Sequence, residues 1–180
     1  MKRRDLLRSV GAASALSFLP GQAGQAWARL LSGYRPQNGL TSAQRSLVGA
    51  LADAIIPRTD TPGAADVGVT DWVDLMVAEY YSDADRNAFL RGLDAIETRV
   101  KSERAVTFAE LPPDARSEIM TALEAPADRQ SPDARAYARL KQLVVHGYFT
   151  SERVQKEVLK TEVMPGRFEG NALMPPRRTS

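Results

Sequence analysis

The chain has no cysteine and only one histidine, His146. The missing thiols exclude a disulfide scaffold, a Cys-based zinc site, an iron–sulfur cluster and covalent haem attachment through Cys-x-x-Cys-His. A lone imidazole leaves little for a catalytic triad, which needs a nucleophile activated by a base. Nor is there a Gly-x-Gly-x-x-Gly, a Walker-type phosphate loop or a His-Glu-x-x-His, the common signatures of dinucleotide, nucleotide and zinc-dependent chemistry. Long apolar runs are absent too. The mildly apolar stretch Val10 to Leu19 reaches only ~15 Å as a helix, half of a ~30 Å hydrocarbon core.

What is present is 180 residues, 43% of them hydrophobic, enough for one domain with its own core. The 24 Lys and Arg against 22 Asp and Glu suggest a mildly basic protein until the charges are located. Lys2, Arg3, Arg4 and Arg8 crowd the first eight residues, offset there only by Asp5. The remainder is nearly neutral, so a phosphate backbone has no basic stripe to bind, and no nucleic-acid partner is expected.

Residues 1–28 have the order of an export signal: a basic start, the apolar stretch and a small-residue exit, Ala26-Trp27-Ala28. Arg3-Arg4-Asp5-Leu6-Leu7-Arg8 resembles the twin-arginine motif, with Leu6 and Leu7 at its apolar positions. Cleavage is expected after Ala28, and a periplasmic location follows. The alternatives are the general secretory route and an amphipathic helix that stays attached.

Residues 29–39, with Gly33, Pro36 and Gly39, read as a linker with no core. A helical domain is expected over 40–163. Leu47, Leu51 and Ile55 recur every four residues behind Thr41 or Ser42 as a cap, and Pro57 ends the run. Val69, Trp72, Val73, Met76, Val77 and Tyr80 form a second stripe, with Thr70 or Asp71 available as its cap. Ser82 and Asp85 resemble a capping box before Phe89, Leu93, Ile96 and Val100. Pro113 and Pro132 each suit a first helical turn, and Ala136, Leu140, Leu143, Val144 and Tyr148 give the last long buried face. A further short helix is expected toward Leu159. The tail, 164–180, is rich in Pro and Gly and reads as irregular. With no run of apolar alternation between hairpin turns, the fold class is all-α, a single bundle of five or six helices.

Among possible reactive groups, His146 reads as a packed or interfacial histidine, with a catalytic or haem-ligand role as the rival. Asp53 with Asp60, or Asp71 with Asp74, read as caps or solvated faces ahead of acid–base pairs. The turn Thr59-Asp60-Thr61-Pro62-Gly63-Ala64 combines a fixed proline dihedral, a permissive glycine and side chains that bond nearby amides. Its rigidity suits docking.

Three segments together resemble the gluconate 2-dehydrogenase subunit 3 family: Ala54-Ile55-Ile56-Pro57-Arg58 continuing through Thr59 to Ala64, Gly147-Tyr148-Phe149-Thr150-Ser151-Glu152, and Met164-Pro165-Gly166-Arg167-Phe168-Glu169-Gly170, behind the twin-arginine leader. The resemblance runs from about Leu40 to Gly170. It implies a small, non-catalytic subunit of a membrane-bound sugar or sugar-acid dehydrogenase complex. FAD would sit in a large subunit of the glucose-methanol-choline type and haem c in a cytochrome subunit, with no cofactor bound by this chain. The small subunit would support folding of the flavoprotein and carry it to the twin-arginine translocase. Thr59 to Ala64, Tyr148, Phe149 and Pro165 to Phe168 would be its partner-binding residues. The sequence departs from the family pattern at Arg153-Val154-Gln155, and it has Asn171 where many relatives have Cys, which removes an inter-subunit disulfide there. Rival readings are a self-sufficient periplasmic enzyme using His146 and an independent binding module.

Overall fold

A computed structural model describes residues 20–36, 39–126 and 128–161. The described residues are helical, with no strand. Six α-helices carry the structure: α1 (Pro20–Leu31), α2 (Ser42–Ile55), α3 (Val69–Glu79), α4 (Asp83–Arg104), α5 (Pro113–Glu124) and α6 (Pro132–Thr150). None among the described residues is long and apolar enough to cross a membrane.

Local chemistry sets most of the ends. Thr41 caps α2 by accepting the Gln44 amide, while the Gln44 side chain returns to the Thr41 amide at 3.1 Å. Ser82 does the same for α4, accepting the Asp85 amide at 3.1 Å as its hydroxyl donates to Asp85 Oδ2 at 2.7 Å. Pro113 and Pro132 occupy first turns, as expected. The cap of α3 differs from expectation. That helix starts at Val69 itself, and its N-cap is Gly68, in the left-handed region at φ 73° with no side-chain bond. The short helix expected toward Leu159 is a single π turn, Val154–Val158.

Helix α6 is the hub and touches each of the other five. Its most extensive contact is with α4. The pair is antiparallel, since Gly92 meets Ala136 and Pro132 while Arg99 pairs with Asp133 at 3.2 Å. A Cβ on Gly92 would lie 2.4 Å from that of Ala136, so the crossing is closer than any side chain permits. Trp72, Leu75, Met76, Leu93, Ile96, Tyr137, Leu140 and Leu143 fill the centre. Phe108 and Leu111 are buried and hold the α4–α5 connection to it.

The largest departure is at the N-terminal side. The sequence reads residues 1–28 as leader and 29–39 as a linker with no core, yet α1 docks on the bundle. Ala23 and Ala26 are buried, and Trp27 stacks on Trp72 with ring centroids 6.3 Å apart. The Trp27 indole donates to Thr150 Oγ1 at 3.1 Å. Beyond the helix, Arg29 lies over the Tyr34 ring, and both reach Glu79. Leu40 is then fixed by its amide, which donates to buried Asp74 at 2.6 Å. Ala26 and Ala28, read as the exit of a leader, therefore lie within a packed helix. Arg3, Arg4, Leu6 and Leu7 fall outside the described residues.

Candidate partner-binding site

After Pro57 stops α2, the chain makes the turn that the sequence singled out. Arg58, Thr59, Asp60 and Thr61 are exposed, whereas Gly63 and Ala64 are buried at its base. Hydrogen bonds close it from within: Thr59 N donates to Thr61 O at 3.1 Å and Ala64 N to Ile56 O at 3.0 Å. Neighbouring carboxylates pin it. Asp66 Oδ2 accepts the Gly63 amide at 2.8 Å and pairs with Arg58 Nε at 3.1 Å, and Asp53 accepts the Ala65 amide at 2.9 Å. Any Cβ at residue 63 would stand 2.8 Å from the Arg58 backbone nitrogen, so the turn closes this tightly only on glycine. Such a tip loses little conformational entropy when covered.

The end of α6 joins this turn. The Tyr148 hydroxyl donates to Pro62 O at 2.7 Å, bridging 86 residues of sequence. Tyr148 is buried, and its ring meets that of Phe149 edge-on at 5.3 Å. Phe149 is 46% exposed, and Val145, one turn before it, is 38% exposed. The end of α6 thus carries two partly exposed apolar side chains next to the residue that bonds the turn. Thr59 to Ala64 and Tyr148 with Phe149, expected at one site, are brought together. Pro165, Gly166, Arg167 and Phe168 lie outside the described residues.

Where the sequence departs from the family pattern, the structure puts the new residues to use. Ser151 Oγ donates to Tyr148 O at 2.8 Å and accepts from the Val154 amide at 3.4 Å, with Val154 fully buried. Gln155 reaches the Phe149 carbonyl. Arg153 pairs with Glu157 at 3.0 Å and extends to the Asp66 carbonyl at 3.5 Å, tying the π turn to the Asp60 loop. Sequence reasoning missed Arg153, Gln155 and Val145 as parts of the patch. The available signal was phase: with Leu140, Val144 and Tyr148 facing inward, Val145 and Phe149 fall on the flank.

The candidate acid–base groups have structural surroundings. Asp53 holds the loop, and Asp60 is at its exposed tip. Asp71 and buried Asp74 are both clasped by Arg45, and a Cβ at Gly39 would overlap the Asp74 carboxylate. His146 packs against Trp72, ring centroids 5.5 Å apart. Burial lowers its pKa from the ordinary 6.5, so it is neutral at pH 7. The unfolded chain therefore takes up this proton first as pH falls, and stability is lost below the unfolded value. Melting temperature is expected to drop between about pH 7 and about pH 5.5, above the range where carboxylates titrate, with a shallower slope in His146→Gln. Among the described residues no three His, Cys, Asp or Glu side chains are grouped to hold a metal.

No curated protein and no solved structure matches this chain. A family model does, described as gluconate 2-dehydrogenase subunit 3, and its match over residues 42–166 spans α2 to α6, the Asp60 loop and the Tyr148–Phe149 end. The chain belongs to the gluconate 2-dehydrogenase subunit 3 family.

Proposed function

We infer that this chain is the non-catalytic small subunit of a periplasmic, membrane-associated, FAD-dependent dehydrogenase complex that oxidises a sugar or sugar acid. In this reading it supports folding of a flavoprotein subunit of the glucose-methanol-choline type and carries it through the twin-arginine translocase. FAD belongs to that partner and haem c to a cytochrome subunit. The observation that carries the reading is the pinned Thr59–Ala64 turn joined to exposed Phe149 by the Tyr148–Pro62 bond, in a member of a dehydrogenase-subunit family. A preformed turn beside an apolar patch supplies the low ordering cost and the buried anchor that protein docking needs. The carboxylates that the sequence offered have structural partners: Asp53 holds the loop, and Arg45 clasps Asp71 and Asp74.

Replacing Arg3 and Arg4 together with lysine tests the export role. The flavoprotein is expected to accumulate in the cytoplasm, with periplasmic dehydrogenase activity near background. Normal periplasmic activity in that variant would refute export by this leader.

A further inference from the structure

Away from the Asp60 loop, a cleft of about 640 Å³ opens between α4, α6 and the α5–α6 connection. Its floor is apolar, built on Phe89, Leu123 and several alanines. Its walls carry four arginines, Arg91, Arg129, Arg135 and Arg139, against two carboxylates, Asp85 and Glu124. Both carboxylates are already engaged. Asp85 takes the Ser82 hydroxyl, while Glu124 is held by Tyr137 at 3.0 Å and by Lys141.

No described carboxylate engages the arginines in turn, although Arg139 meets Tyr81. None of the four has an ion pair among the described residues. Of the other described arginines only Arg116 lacks a carboxylate partner, and it donates to the Ala109 carbonyl. The Arg139 guanidinium lies over the Tyr81 ring, 5.7 Å from its centroid, and no well-formed hydrogen bond reaches its buried Nη1. Like charges gathered in a concave, partly apolar wall raise the local positive potential, which an incoming anion relieves. Arg135 and Arg139 stand one turn apart on α6, ~6 Å along its axis. Alternate side chains of an extended peptide repeat at ~6.7 Å.

We propose that this cleft docks an extended acidic segment of the dehydrogenase subunit, its carboxylates meeting Arg91, Arg129, Arg135 and Arg139 and its apolar side chains resting on Phe89 and Leu123. The inference rests on the assembly reading above and adds a second contact region to it. Guanidinium forks donate bidentately to carboxylates and shed water more readily than ammonium groups, which suits arginine over lysine at such a seam.

The test uses the full complex, co-expressed with a tag on this chain. Arg91, Arg129 and Arg135 are exposed, so their joint replacement by glutamate leaves the core untouched, and circular dichroism checks the fold. Flavin recovered with the tagged chain at about 0.1 M salt is expected to fall at least about tenfold, and the unaltered complex is expected to weaken as salt rises. Replacement of the same three by lysine, which keeps the charge but not the fork, should recover only part of the binding. Undiminished flavin with the glutamate variant would overturn the proposal. So would saturable binding of inorganic phosphate by the unaltered chain that the glutamate variant loses while assembly persists, because the cleft would then be a small-anion site. If the unaltered chain recovers no flavoprotein, the assembly reading itself fails, a result distinct from failure of the glutamate variant alone.

Discussion

Trp72→Ala is expected to lower the unfolding free energy by about 3–5 kcal/mol, the range for removing a fully buried large aromatic from a core that relaxes only partly. Trp72 is wholly buried on α3, where Trp27 of α1, His146 and Gly147 of α6 all meet it. For a domain of this size such a loss corresponds to a fall in Tm of roughly 10 °C. Gly147 gives the measurement its specificity. A Cβ there would lie 2.9 Å from the Trp72 ring, so Gly147→Ala in the unaltered protein costs about 1–3 kcal/mol through overpacking. With Trp72 reduced to alanine the obstruction is gone, and the same change should be neutral or stabilising, since alanine favours a helix over glycine by about 1 kcal/mol. Urea unfolding of the four proteins gives the coupling directly. Additive effects would contradict the contact.

Removing the chain through Ala28 is expected to cost about 2–4 kcal/mol relative to a chain that starts at Pro20, from loss of a largely packed tryptophan and its hydrogen bond. The truncation strips Trp27 from Trp72 and from Thr150 and takes away buried Ala23 and Ala26. It also divides α1, leaving Arg29 to Leu31 too short to hold a helix. A cut after Ala28 would divide a helix that the folded domain uses. Equal urea midpoints for the two chains would show that α1 contributes nothing to the fold.

The bundle was readable in the sequence because its helices announce themselves locally. Leu47, Leu51 and Ile55 behind Thr41, or Phe89, Leu93, Ile96 and Val100 behind Ser82, carry both a stripe and a cap, and the structure uses both. Helix α1 was missed for a specific reason. Its stripe, Ala23, Ala26, Trp27 and Leu30, has helical spacing, but small residues make a faint pattern, and the same Ala-x-Ala exit satisfies the rule for a leader. The cap of α3 was misread because polar side chains were sought where a left-handed glycine does the work.

At the site, the Asp60 turn was legible because proline, glycine and hydroxyl residues state their dihedral demands locally. Its union with Phe149 was not, because the Tyr148–Pro62 bond joins residues far apart in the chain. The arginine cleft is the extreme case. Arg91, Arg129, Arg135 and Arg139 come from two helices and a connection, and near-neutral composition conceals a charge cluster that exists only once those elements pack.

The central claim is that this chain works by gripping a flavin-bearing subunit. Affinity capture of the tagged chain from the periplasm, with flavin absorbance and dehydrogenase activity read on the eluate, tests it most directly. A second, larger protein carrying flavin and all of the activity is the predicted result. Recovery of this chain alone, turning over substrate unaided and losing that turnover in His146→Ala, would contradict it.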